Sequence, residues 1–332
     1  MGMTTMPLVD SFQRRVSYLR ISVTDRCNLR CRYCAPSRPL RIEKSRLLTL
    51  EEIYRLAEIG VDIGIRKIRL TGGEPLCRNG IVDLIERLCR IRGLKDVSLT
   101  TNGTMISRMA GKLREAGVGR INISLDTLDP EKFHRLTGAD LFGSVWDGIQ
   151  AAAKCGFDPI KINTVVMKGV NDDEIERLAG LSLEYPFHVR FIEYMPIGTD
   201  PLTARRHFVP LSEIKAKVEA LGRLEPVEAG RNDGPAVRYR LEGAPGEIGL
   251  IGSMSSHFCG TCNRIRLTAD GHLRPCLLAD EQVDVISPLR RGGSDDELKA
   301  LFRAAMARKR EEHRLDFKCG SALQSRMFRI GG

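Results

Sequence analysis

The chain has 332 residues, 42% hydrophobic and 28% charged, with 52 Lys and Arg against 42 Asp and Glu for a net charge of +10. That is an ordinary globular balance, with no apolar run near the ~18 residues of a spanning helix. The opening stretch MGMTTMPLVDSFQRR lacks a signal-peptide core, so a cytoplasmic location is expected. One Trp and no long basic block disfavour a nucleic-acid stripe, which leaves a highly charged small substrate among the partners a basic chain would suit.

In chain order, a strand is predicted near 18–23, followed directly by Cys27, Cys31 and Cys34 in TDRCNLRCRYC. A helix over 49–59 starts with the capping box Thr49 and Glu52. A strand at 66–71 then runs into TGGEP, Thr71 to Pro75, where two glycines let the backbone approach a ligand and Glu74 offers an acceptor for an ammonium group. Alone, that segment reads equally as a plain turn. Ile81, Leu84, Ile85 and Leu88 mark a further helix, and Asn171 followed by acidic residues predicts a helix start before Ile175 and Leu178. Strands near 96–100, 120–125, 160–166 and 188–193 complete six strand–helix units, which argue for a parallel sheet.

These strands alternate apolar and polar residues, as in Leu19–Arg20–Ile21, Ile68–Arg69–Leu70 and Ile160–Lys161–Ile162. Successive side chains in a strand take opposite faces, so each strand has one polar face. An open α/β sheet covered by helices on both sides should be apolar on both. A partial (βα)6 TIM-like barrel with a polar lumen fits better, the alternative being a solvent-facing antiparallel sheet. The pattern changes after about residue 210, with a hairpin of VRYRL (237–241) and EIGLI (247–251) and a polar helix from Asp295 to Arg310. The expected division is a barrel over 1–220 and a smaller C-terminal α+β domain over 221–332 that closes the barrel mouth.

Cys259, Cys262 and Cys276 form the second triplet, within HFCGTCNRIRLTADGHLRPC. Structural zinc sites normally close with four ligands, whereas a cubane held by three thiolates leaves one iron open. Three plus three therefore reads as two [4Fe-4S] clusters, each with an open coordination position. Zinc remains an alternative, above all at the second triplet, where His257 or His272 could supply a fourth ligand. Cys89 and Cys155 are expected as packed apolar groups, Cys77 as a neighbour of the site, and Cys319 has no assigned role. His134, His188 and His313 lack partners in the sequence that would mark them as catalytic.

The C-x3-C-x-aromatic-C motif, with Tyr33 in the aromatic position, and GGEP resemble the radical S-adenosylmethionine superfamily. LRISVTDRCNLRCRYC, IRKIRLTGGEPL, LTTNG, RINISLDTLD, VRFIEYMPIG, the second triplet with NRIRL, and the closing IGG extend the resemblance to the GTP 3′,8-cyclase family over nearly the whole chain. That resemblance implies a lyase of molybdenum cofactor biosynthesis, in which a 5′-deoxyadenosyl radical takes the ribose 3′ hydrogen of GTP and the sugar radical attacks guanine carbon 8. It implies that Cys27, Cys31 and Cys34 hold the cluster that binds S-adenosylmethionine, and that Cys259, Cys262 and Cys276 hold the one facing the purine. Tyr33, Gly73, Ser124 and Met195 would contact S-adenosylmethionine. Arg20, Arg69, Thr100, Lys161, Arg264, Ile265 and Arg266 would contact GTP. Glu74, Arg190 and the tail glycines Gly331 and Gly332 would support the chemistry. The implied partners are an external electron donor and a downstream cyclic pyranopterin monophosphate synthase, with a homodimer as a further expectation. Competing readings are another radical enzyme with an auxiliary cluster, such as a peptide-maturing enzyme, and a non-enzymatic zinc module binding acidic polymers.

Overall fold

A computed structural model describes residues 7–34, 41–228, 234–318 and 323–331. The first two thirds form six parallel strands in sequential order: β1 (Tyr18–Ser22), β2 (Lys67–Thr71), β3 (Asp96–Thr101), β4 (Ile121–Ser124), β5 (Ile160–Val166) and β6 (His188–Glu193). The crossovers carry α1 (Leu50–Asp62), α2 (Ile81–Cys89), α3 (Ile106–Glu115), α4 (Pro130–Thr137) with α5 (Phe142–Lys154), and α6 (Ile175–Glu184). The capping box of α1 is formed: Thr49 Oγ1 accepts from Glu52 N at 3.1 Å, and Glu52 Oε2 accepts from Thr49 N at 2.7 Å. Two otherwise orphaned amides are satisfied there, which fixes where the helix begins.

Helix α6 starts later than its acidic run suggests. Asn171 instead closes the loop after β5, donating to Asp126 O at 2.7 Å and Val165 O at 2.9 Å while accepting from Met167 N at 2.7 Å. A side chain that satisfies three backbone groups stabilises the loop at the expense of an earlier helical turn.

The remaining elements are α7 (Pro201–His207), α8 (Leu211–Glu219), β7 (Leu224–Pro226), β8 (Val237–Leu241), β9 (Glu247–Ile251), β10 (Arg264–Leu267), β11 (His272–Arg274), β12 (Val283–Asp284), α9 (Ile286–Arg290), α10 (Asp295–Ala307) and α11 (Met327–Ile330). The expected hairpin is present as β8 and β9, but β9 also runs parallel beside β6. At the opposite edge β10 runs parallel beside β1. The sheet order is β12-β11-β10-β1-β2-β3-β4-β5-β6-β9-β8-β7, so the later strands extend both edges of an unclosed barrel. Helix α10 ends at Ala307, short of the expected Arg310, and the chain then turns so that the Lys309 ammonium reaches Pro275 O at 2.7 Å.

The outer face of the sheet is apolar, with Leu19, Ile21, Ile68, Leu70, Leu99, Ile123, Ile162 and Ile265 packed against Ile53, Leu56, Leu84 and Ile149 of the helices. Its inner face is polar. Register places Arg266, Arg20, Arg69 and Ser98 side by side across β10, β1, β2 and β3. It likewise aligns Thr100, Asn122, Lys161 and His188 across β3 to β6, with Asn163 opposite Arg190. One period-two pattern thus supplies both the core and the lining.

Candidate active site

The lumen is a cavity of about 1460 Å³, its open mouth included. Cys27, Cys31 and Cys34 lie in its lining, and Arg20, Arg69, Arg190, Arg264 and Arg266 line it as well. A smaller cavity of about 530 Å³ is lined by Cys259, Cys262 and Cys276. Met195, Ser253, Phe258, Arg264, Arg266 and Leu277 belong to both linings, so the two spaces adjoin.

The first triplet follows β1, at the carboxyl end where parallel barrels place their chemistry. Its loop is buttressed by the TGGEP turn. A Cβ on Gly73 would come 2.6 Å from the Arg26 carbonyl carbon and 2.9 Å from Asp25 O, so only glycine lets the turn lie against the cysteine loop. Glu74 was expected to offer a carboxylate to an ammonium group. In the structure it is fully buried below the lining and accepts from Leu76 N at 3.0 Å, Thr101 Oγ1 at 2.8 Å and Asn102 N at 2.7 Å. Its oxygens bind the TGGEP turn to the end of β3, while Gly72 and Gly73 of that turn line the cavity.

Tyr33 donates to Asp126 Oδ2 at 2.6 Å, and Asp126 Oδ1 accepts from Val165 N at 2.8 Å. Burial raises the Asp126 carboxyl to about 6. The thiols of the first triplet are all pushed up, Cys34 to about 12 by burial, then by Cys27 and Asp126. In the second triplet burial also opposes ionisation of Cys262, yet Arg264 and Lys309 pull its thiol down to about 6. The cationic field is local to Cys262, because burial pushes the Cys259 thiol of the same triplet up.

Among the described residues, no three His, Cys, Asp or Glu side chains converge on one metal ion. A single zinc needs its ligands within about 2.3 Å of one point, whereas a cubane spreads its thiolates over several irons. His257 and His272, the possible fourth zinc ligands, are outside the lining around the second triplet. His257 Nε2 donates to Met254 O at 3.0 Å, and His272 faces Asp270 at 3.3 Å. Three cysteines at each site supply the thiolate donors that a cubane takes, and His313, which lines the second, is engaged with Ser253 O at 2.9 Å.

Of the other residues singled out from sequence, Tyr33, Gly73, Thr100, Ser124 and Met195 line the main cavity. Lys161 is buried on the lumen face but outside the lining, and the Ile265 side chain is in the apolar core on the other face of β10. Gly331 is buried at the barrel mouth against Ser22 and Thr71, and its carbonyl accepts from Arg266 Nη1. Gly332 and Cys319 fall outside the described residues. Cys89 is exposed rather than packed, and Cys155 is half-buried. The histidines do have partners: His134 with Asp140 at 2.7 Å, His188 with Glu247 at 3.3 Å, and His313 with Ser253 O at 2.9 Å.

Sequence reasoning missed Tyr18, Asp126, Asn163 and Glu193. Tyr18 and Asn163 line the cavity, and the Tyr18 hydroxyl, Thr100 Oγ1 and Asn163 Oδ1 are buried without a hydrogen-bond partner among the described residues. Such atoms cost about 1–3 kcal/mol each unless a ligand or water completes them. Glu193 accepts from Leu211 N, Met254 N and Ser255 N at 2.7–3.0 Å, which holds the loop between the two cavities. The lumen-facing period of β1 and β5 could have shown Tyr18 and Asn163.

Over residues 21–181 the chain matches the Radical SAM superfamily, and over 187–315 the family described as Molybdenum Cofactor Synthesis C. The GTP 3′,8-cyclase of Moorella thermoacetica is 48% identical over 309 residues, 92% of this chain and 95% of that protein. That of Heliobacterium modesticaldum is 48% identical over 328 residues, 98% of this chain and 100% of that protein. This chain belongs to the GTP 3′,8-cyclase family. As in other radical S-adenosylmethionine proteins of this family, its cofactors are two [4Fe-4S] clusters and S-adenosylmethionine. The fold is shared with Streptococcus suis SuiB bound to S-adenosylmethionine, at TM-score 0.57 and 18% identity over 84% of this chain and 63% of that one. Native anSMEcpe with bound AdoMet gives 0.54 and 16% over 89% and 81%. The barrel is thus shared with proteins only 18% and 16% identical to this chain. Among the described residues, no helix is long and apolar enough to cross a membrane.

Proposed function

We propose that the paired cavities make this chain a lyase that cyclises GTP to (8S)-3′,8-cyclo-7,8-dihydroguanosine 5′-triphosphate, in the first step of molybdenum cofactor biosynthesis. The observation that carries this is the charge of the lining. Five arginines face the space between the two triplets, against the single carboxylate of Asp126 among the described residues. Burial and neighbouring Arg264 depress the Arg266 guanidinium to about 10. Burial penalises the charge of these guanidiniums, and a triphosphate brings roughly four negative charges that offset it.

Cys27, Cys31 and Cys34 would hold the first cluster, with Tyr33, Gly73, Ser124 and Met195 around S-adenosylmethionine. Cys259, Cys262 and Cys276 would hold the second. Bound there, the first cluster and S-adenosylmethionine supply one-electron cleavage and hydrogen abstraction, and the second cluster supplies an open iron for the purine. Arg20, Arg69, Arg190, Arg264 and Arg266 neutralise and orient the nucleotide, with Lys161 behind them on the lumen face and Thr100 and the Ile265 backbone beside them. Gly331, with Gly332 after it, seats the tail at the barrel mouth, and Glu74 keeps the TGGEP turn in place. The domain division is placed near residue 220, with the barrel before it and the auxiliary-cluster and GTP-binding part after it. An external donor supplies the electron, a downstream cyclic pyranopterin monophosphate synthase consumes the product, and the cytoplasm and a homodimer complete the reading.

Alanine at Arg264 or Arg266 is expected to weaken GTP about ten- to a hundredfold, since a charge-assisted contact contributes roughly 1.5–3 kcal/mol. Guanosine, which lacks phosphates, should be affected far less in the same calorimetric titration. Equal losses for both ligands would move these arginines away from the triphosphate. Tyr18→Phe removes an unpartnered buried hydroxyl and should leave the fold intact while costing GTP about fivefold, or ~1 kcal/mol. Unchanged GTP binding would assign that hydroxyl to water.

A further inference from the structure

Lys309 follows α10 and is only 4% exposed. Its ammonium donates to Pro275 O at 2.7 Å and Arg264 O at 3.0 Å, and lies 3.5 Å from Cys262 Sγ. An ammonium has three donors, and here all three are engaged. The acceptors are Cys262 itself, the residue two positions after it, and the residue immediately before Cys276. One buried cation thus ties together two arms of the second triplet.

The third arm is held from the other side of the same segment. Arg14 donates to Cys259 O at 2.7 Å, to Glu311 O at 2.6 Å and to Arg310 O at 2.5 Å, while its Nε donates to Asp10 at 2.6 Å. Residues 309–311 are therefore clamped against all three cysteine positions. Among the described residues, the acceptors of Lys309 are two carbonyls and a sulfur, with no carboxylate. A buried charge without a carboxylate needs another anion, and thiolates bound to iron supply one. At the first triplet the donors to Cys27 Sγ are neutral, Leu29 N at 3.4 Å and Asn102 Nδ2 at 3.7 Å.

We propose that Lys309 is a positioning residue for the second iron–sulfur cluster, fixing the Cys262 and Cys276 arms and holding that cluster at a higher reduction potential than a neutral side chain would. This rests on the cofactor assignment above. Positive charge and N–H···S contacts favour the reduced, more negative cluster, and hydrogen bonds to sulfur are a known lever on potential.

The test is anaerobic potentiometry of the reconstituted full chain, with each cluster's signal assigned by Ala variants of the other triplet. Lys309→Gln keeps a donor and removes the charge. It should lower the reduced-to-oxidised ratio of the second cluster about tenfold at the wild-type midpoint, a shift of about 59 mV for one electron. The first cluster should not move, and Lys309→Arg should stay near wild type. An unchanged second midpoint in Lys309→Gln, or equal shifts in both clusters, would overturn the proposal. If Lys309→Gln loses the second cluster's iron while Lys309→Arg keeps it, the arm-fixing role is supported; equal loss in both contradicts it. A wild-type protein that assembles only one cluster would overturn the cofactor assignment itself, a distinct result from a second cluster indifferent to Lys309.

Discussion

Serine at Cys27, Cys31 or Cys34 is expected to abolish 5′-deoxyadenosine formation, with or without GTP. The three thiols share one cavity lining at the end of β1, and a cubane held by three thiolates loses its anchor when one is removed. Among the described residues no nearby cysteine stands ready to substitute, because Cys77 lies outside that lining. Serine at Cys259, Cys262 or Cys276 should give the opposite division: first-cluster iron retained, GTP conversion lost. Iron and sulfide analysis beside product yield separates the two. Wild-type cleavage in any first-triplet variant with a complete cluster would remove that cysteine from the ligand set. Undiminished cyclised product from a second-triplet variant would remove the second cluster from the chemistry.

Gly331→Ala should collapse cyclisation while leaving the fold and both clusters intact. Gly331 has φ +71°, a region that disfavours L side chains by about 1–2 kcal/mol. The backbone angle is the smaller obstacle. A Cβ there would fall on Thr71 Oγ1 and lie 3.2 Å from Ser22 Cβ, both at the carboxyl ends of adjacent barrel strands. The tail would have to withdraw, and Arg266 would lose the carbonyl that orients it in the lining. Product should fall at least tenfold, an effect of about 1.4 kcal/mol or more at the transition state, with iron content unchanged. Full cyclase activity in Gly331→Ala, or after deletion of Gly331 and Gly332, would make the tail a mere end of the chain.

Much of this site was legible because the relevant signals are local. Period-two alternation sets the lumen face of β1, β2 and β5, and cysteine spacing alone marks both triplets. Long-range pairing left no such trace. Nothing in EIGLI or RIRL says that one strand docks on β6 and the other on β1, because edge partners are chosen by tertiary packing. Glu74 illustrates a second limit. Its position in GGEP is conspicuous, but whether a carboxylate faces a ligand or three protein donors depends on residues 27 positions away, at Thr101. Lys309 was hidden for the same reason: a lone lysine beyond a polar helix reads as a surface charge until its three acceptors are seen.

The most direct test of the cyclase reading is anaerobic incubation of the reduced protein with S-adenosylmethionine and, separately, GTP, ATP, CTP and UTP, followed by product identification. The arginine-lined cavity between two cysteine triplets predicts 5′-deoxyadenosine together with a 3′,8-cyclised nucleotide in the GTP reaction alone. Formation of 5′-deoxyadenosine independent of GTP, with no cyclised product, would contradict it.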